Sequence, residues 1–161
     1  MASRSSAYEL GDRVTGGRGG CRPSDRIRSR RAGRRAALAS VFEAEFGQRT
    51  ATAVLERQLA ATEADPGTAD LARSLVAAVV ANRDSIDALI TVTAPQYPVT
   101  QLARMDRALL RCAIGEVLHS PTPARVAIAE WVELARTYSG DPMRRLMNGV
   151  LGRITRDTSR G

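Results

Sequence analysis

Apolar residues recur along most of the chain at steps of three and four, the spacing that places them on one face of an α-helix. No stretch alternates with the period of two expected of a half-buried strand. Leu38, Val41, Phe42 and Phe46 predict a first helix from about Arg31, stopped at Gly47. Thr50 suits the cap of a second, with Ala51, Val54, Leu55, Gln58 and Thr62 on one stripe and a break at Asp65-Pro66-Gly67. A third begins at Thr68 and runs through Leu71, Leu75, Val76 and Val79. A kink at Asn82 to Asp84 leads into a fourth with Ile86, Leu89 and Ile90, ended by Pro95 and Pro98.

The fifth predicted helix, Thr100 to Leu118, has Met105, Leu109, Cys112, Ala113 and Val117 on one face and Leu110 and Ile114 on another. That marks it as the most buried. Pro121-Thr122-Pro123 separates it from a sixth, Ala124 to Tyr138, whose stripe is Ala127, Ile128, Trp131, Leu134, Ala135 and Tyr138. Asp141 as N-cap and Pro142 at the first helical position open a seventh, through Met143, Leu146, Met147, Val150 and Ile154. The pattern predicts an all-α, single-domain bundle of about seven helices.

Composition narrows the chemistry. The 161 residues suit one domain, and 43% apolar with 25% charged residues is ordinary for a globular chain. The longest apolar run, Leu75 to Ala81, is far short of the roughly 20 residues that span a bilayer, and no apolar signal core leads the chain, so a cytoplasmic protein is expected. Cys21 and Cys112 are far apart and His119 is the single histidine, so neither a metal cluster nor a cysteine or serine relay is indicated; His119 reads as a helix C-terminal cap and Cys112 as a small core residue. No phosphate-binding glycine loop occurs either. Asp106, Glu130 and Glu133 read as capping or ion-pairing groups rather than a general acid and base, so no enzyme activity and no cofactor is expected.

Charge changes the picture most. The net charge is +7 and every basic residue besides His119 is arginine. Residues 1–35 hold ten arginines against Glu9, Asp12 and Asp25, while residues 36–161 are balanced. A concentrated cationic arm on a neutral body points to a polyanion, nucleic acid ahead of a solvated basic tail. Arg28, Arg30, Arg31, Arg34 and Arg35 run directly into the first helix, where order would aim them. Upstream, Thr15 to Arg22 (TGGRGGCR) is too rich in glycine to order itself, and residues 1–28 read as a disordered extension before a body of 29–157.

Three segments together resemble the NusB family of bacterial transcription antitermination factors: RSRRAGRRAALASVFEAE (28–45), MDRALLRCAIGEVL (105–118) and VAIAEWVELARTYSGDPMRRLMNGVLGRI (126–154). The first is similar to the family's arginine-rich start with an aromatic at Phe42, the second to its Leu-Arg-x-Ala-x-x-Glu-Leu helix, the third to its Glu-Leu-Ala helix followed by Asn-Gly-Val-Leu. The likeness covers about residues 28–157. Leu146 and Met147 replace a Phe-Val, Gly115 stands where an aromatic is common, and Ala129 and Trp131 replace an Asn and an Ala.

The resemblance implies an RNA-binding subunit. It would pair with NusE, a small-subunit ribosomal protein, hold the single-stranded boxA element of ribosomal RNA transcripts, and join the elongating RNA polymerase complex. A homodimer that occludes the basic surface is a further expectation. A NusB-like RNA-recognition part of a ribosomal RNA methyltransferase is the competing reading, though it needs a cofactor domain downstream of Gly161; a purely protein-interacting bundle is the other. Single-stranded RNA needs guanidinium groups for phosphates and flat surfaces for bases. Arg30, Arg31, Arg34 and Arg35 are the first candidates, then Arg28. Four of the six aromatics, Phe42, Phe46, Trp131 and Tyr138, sit on apolar stripes, so stacking is assigned mainly to arginine.

Asn148 and Arg144 are added because Gly149 costs roughly 1 kcal/mol in a helix and needs a reason, either close approach of a neighbouring helix or of RNA. Arg111, on a helix otherwise apolar, needs a partner, Glu116 or Glu133, or else faces RNA or a protein; Glu116 is a candidate for the NusE surface.

Overall fold

Pro23 begins the first helix. Its fixed φ suits the first helical position, its missing N–H is not needed there, and Asp25 sets a negative charge against the helix N-terminus. Helix α1 (Pro23–Ala44) therefore starts about two turns earlier than apolar spacing predicts, because those turns carry no core residue. The expected boundary near residue 28 falls inside it. The computed structural model describes residue 20 and residues 22–160, so most of the glycine-rich extension, with Cys21, lies outside the described residues.

Helix α2 (Ala51–Ala61) is capped as expected, Thr50 Oγ1 accepting from the Ala53 N–H at 3.2 Å. Helix α3 (Pro66–Thr93) is capped by Asp65, whose carboxylate accepts from the Thr68 N–H at 3.2 Å and, from α1, the Ser29 hydroxyl at 2.8 Å. Hydrogen bonds from the Thr68 and Ser29 side chains and the Thr68 amide lower the Asp65 carboxyl to about 2.

The two helices expected on either side of Asn82 run together across a kink, so among the described residues there are six α-helices rather than seven. Asn82 leaves helical geometry (φ −121°, ψ 17°), but its Nδ2 donates to the Ala78 carbonyl at 2.8 Å and the Ser85 hydroxyl donates to the Asn82 carbonyl at 2.9 Å. Those side chains satisfy backbone groups the kink frees, and the chain runs on as helix.

A 3₁₀ turn (Val99–Gln101) leads into α4 (Arg104–His119), then α5 (Ala124–Tyr138) and α6 (Asp141–Thr158). Gly140, at φ +120°, is the residue before α6, so Asp141 is its first helical residue rather than its cap. Among the described residues there is no strand. Helix α4 is the central one, with every residue from Ala108 to Glu116 buried, as its two apolar faces predict. It packs on α1, α3, α5 and α6, and α1 crosses both α2 and α3. Close crossing sets one glycine: a Cβ at Gly33 would stand 3.0 Å from the Thr68 carbonyl and 3.1 Å from Leu71 Cβ.

Candidate nucleic-acid interface

Successive residues on a helix diverge by about 100°, so five neighbouring arginines cannot all face water. On α1, Arg28, Arg31 and Arg35, at steps of three and four, are exposed. Among the described residues no hydrogen bond or ion pair engages Arg28 or Arg35. Arg31 and Arg35 line a groove of about 510 Å³ between α1 and α5, closed on the far side by Glu130, Glu133, Leu134 and Tyr138.

The groove's carboxylates are occupied. Arg31 Nε donates to Glu130 Oε2 at 3.1 Å, and Arg136 Nε to Glu133 Oε1 at 3.1 Å. The hydrogen bond that Arg136 donates holds Glu133 below its ordinary pKa, and the one that Arg31 donates to Glu130 raises Arg31 above its own. Both arginines are more than half exposed, and such pairs are worth little net. Arg30 is half-buried and donates through Nη2 to Thr122 Oγ1 at 2.6 Å, tying α1 to the α4–α5 loop.

Arg34 is the exception among the predicted contacts and a correction. It is 2% exposed and forks onto Glu116, Nε to Oε1 at 2.8 Å and Nη2 to Oε2 at 2.7 Å. The Trp131 Nε1–H donates to the same Oε1 at 2.8 Å. Glu116 is fully buried, so it does not present a carboxylate to NusE or any partner. Burial pushes its pKa up, but hydrogen bonds and charge from Arg34, with Trp131 and Thr122, override this and hold it below the ordinary carboxylate value. The residue pattern held the signal: Arg34, Leu38 and Val41 share the spacing of the buried stripe.

Arg111 is also withdrawn from the partner surface. It is 5% exposed and pairs with neither Glu116 nor Glu133. Its Nε and Nη2 donate to the two Asp87 oxygens, each at 2.9 Å, and Nη1 donates to Glu45. Glu45 also accepts from Arg107 Nη2 at 2.7 Å. Desolvation lowers the Arg111 pKa, yet Asp87 and Glu45 outweigh it and the net shift is upward. The expectation of an internal ion pair was right in kind, with partners from the end of α1 and the middle of α3.

On α6, Asn148 and Gly149 are exposed, and nothing lies within 4 Å of a Cβ added at Gly149. Close approach of another helix is thereby excluded as the reason for that glycine. Arg144 is half-exposed and hydrogen-bonded to Asp141 through Nε at 3.1 Å.

Two aromatics expected in the core are outside it. Tyr138 is 43% exposed beside Arg35, and Phe46 is 53% exposed with the Arg104 guanidinium 4.7 Å above its ring. Both stand at helix ends, where a stripe no longer guarantees cover. Trp131 is fully buried and Phe42 partly so. Cys112 is buried, and burial drives its thiol pKa up, which leaves it unreactive.

Comparison with known proteins places the bundle. Residues 31–156 match the sequence model of the NusB family. The chain is 36% identical over 129 residues to the transcription antitermination protein NusB of Dehalococcoides mccartyi, covering 80% of this chain and 90% of that protein. It is 38% identical over 137 residues to that of Symbiobacterium thermophilum, with the same coverage. Among solved structures, NusB of T. maritima superposes with a TM-score of 0.72 at 29% identity, covering 79% of this chain and 90% of that one. A structure of antitermination factors NusB and NusE with double-stranded RNA shares the fold, with a TM-score of 0.70 at 20% identity over 81% of this chain and 98% of that one.

Proposed function

The chain belongs to the NusB family, and from that premise we propose that it is a transcription antitermination factor that binds boxA-type single-stranded RNA together with NusE and joins the elongating RNA polymerase complex. The observation that carries the reading is the exposed row Arg28, Arg31 and Arg35 on α1, of which Arg31 and Arg35 line the α1–α5 groove with Tyr138. Guanidinium planes at helical spacing take successive phosphates, and the tyrosine ring offers a face for a base. Arg144 and Asn148 supply a second polar contact on α6. No role in catalysis is assigned to any residue, because the carboxylates near the groove are already paired with arginine.

The NusB proteins of Dehalococcoides mccartyi and Symbiobacterium thermophilum are each matched over 90% of their length, which favours this reading over a recognition module of an RNA-modifying enzyme. No helix among the described residues is long and apolar enough to cross a membrane. A cytoplasmic location is part of the proposal, since nascent ribosomal RNA is the proposed ligand.

The test is binding of a labelled boxA-like single strand, a scrambled strand and a duplex, with and without the NusE protein, to wild type and to an Arg28→Ala, Arg31→Ala, Arg35→Ala variant. The boxA strand should bind best, NusE should strengthen its binding, and the variant should lose it. Absence of RNA binding in the presence of NusE overturns the reading.

A further inference from the structure

A second concave surface lies at the opposite end of α1, away from the arginine-rich groove. Arg31 and Glu45 are fourteen residues apart on or just beyond the same helix, about 20 Å along its axis. Around Glu45 the structure gathers Arg49, Arg83, Arg107 and Arg111 against two carboxylates, Glu45 and Asp87.

The carboxylates are committed. Asp87 receives both hydrogen bonds of one Arg111 edge, and Glu45 is held by Arg107 and Arg111. Arg107 is further fixed by the Val99 and Leu102 carbonyls. Arg49 and Arg83 are exposed, and among the described residues neither makes a hydrogen bond or ion pair; Arg83 is only felt at a distance by Glu45. The cluster therefore keeps two positive charges beyond what folding neutralises.

Those two arginines line a pocket of about 360 Å³ whose wall is apolar, with Val41, Ala51, Val79 and a Val80 that is 57% exposed. The volume is at the small end of the range for small-molecule sites. An apolar wall beside two unengaged guanidiniums suits a ligand with a planar body and a phosphate, because the guanidinium fork matches phosphate oxygens and the ring can lie on the valines.

We propose that the Arg49–Arg83 pocket beside the α3 kink is a nucleotide-binding subsite, taking one phosphate between the two arginines and its base against Val80. The choice of a nucleotide of single-stranded RNA as occupant rests on the RNA reading above, and a free nucleoside monophosphate is the other source of the same chemistry. A strand held at Arg31 and Arg35 then gains a second anchor along the body of the protein.

The test is an amide-shift titration of the full chain with adenosine monophosphate, with inorganic phosphate, and with a single strand of about six nucleotides. The pocket predicts shifts at residues 49–51 and 80–83 with adenosine monophosphate and with the strand, weaker ones with inorganic phosphate, and loss of all of them in Arg49→Ala/Arg83→Ala. That variant removes no fold contact, so it should melt like wild type. For a longer strand that reaches both sites, it should also lower the magnitude of the slope of log K against log salt by about 0.7, the share of one phosphate.

No shift at 49–51 and 80–83, or shifts that survive the double variant, overturns the subsite. Equal response to inorganic phosphate overturns the seat for the base. If the strand perturbs the α1 arginines but not this pocket, the subsite alone fails; if it perturbs neither, the RNA reading fails. If adenosine monophosphate fills the pocket and the strand does not, the occupant is a free nucleotide and the RNA anchor is refuted.

Discussion

Replacing Glu116 by leucine isolates the contact that fixes α1 against α4 and α5. The carboxylate is fully buried and holds three donors at 2.7–2.8 Å: Arg34 Nε and Nη2, and Trp131 Nε1. Without it, Arg34, 2% exposed, keeps as counter-charge only the Glu130 carboxylate, 4.0 Å from its Nη1, and breaking such a buried pair costs about 3–5 kcal/mol. Total stabilities of about 5–15 kcal/mol make this a large fraction, and for a chain of this length the melting temperature should fall by about 6–20 °C.

Adding Arg34→Met removes the stranded charge. Most of the loss should return, leaving about 1–3 kcal/mol for the Trp131 N–H without an acceptor. Urea denaturation of wild type, both single variants and the double variant measures the coupling directly. The folded Glu116 pKa lies below its unfolded value, so the pair's stabilisation is present above about pH 4 and is lost as pH falls through the folded value. If Glu116→Leu costs under about 1 kcal/mol, or the double variant is as unstable as the single, the buried clamp does not have the role assigned to it.

Other outcomes follow from the same geometry. Gly149→Ala should raise stability by about 1 kcal/mol, since the site is open and alanine favours helix, whereas Gly33→Ala should lower it by about 1–3 kcal/mol because its Cβ meets the Thr68 carbonyl; denaturation of both variants checks the opposite signs. If RNA uses the bare backbone at Gly149, the stabilised variant binds RNA more weakly than wild type, which a titration reads. Asp65→Ala should remove a helix cap, and because the Asp65 carboxyl is lowered to about 2, its contribution is intact above about pH 4 and fades as pH falls toward 2; the wild-type and variant melting temperatures should converge in acid.

The helical architecture was open to sequence reasoning because its signals are local. Thr50 caps where a threonine before an apolar stripe should, and the two-sided apolar pattern of α4 is the buried core. The extra turns of α1 were missed because they bury nothing and depend on Pro23 and Asp25, which periodicity ignores. The kink at Asn82 lies where the sequence places it, and the Asn82 side chain satisfies the Ala78 carbonyl so that helix resumes directly after it.

For the candidate site, composition located the basic helix but not which arginines face water. That depends on helical phase, and the phase was already written in Arg34, Leu38 and Val41. The partners of Arg111 come from Glu45 and Asp87, 66 and 24 residues away, distances that no local pattern encodes. Gly149, for which the sequence leaves close helix packing and RNA approach both open, stands in open space, while Gly33 is the tight one.

The central claim is that the exposed α1 arginines bind the phosphates of single-stranded RNA. Its most direct test is the dependence of log K on log salt for a boxA-like strand with wild type and with Arg31→Ala/Arg35→Ala. Losing two phosphate contacts should make the slope shallower by about 1.4 and weaken binding at every salt concentration, with the melting temperature little changed. Equal slopes and equal affinities would contradict the claim and remove this face of α1 from the RNA site.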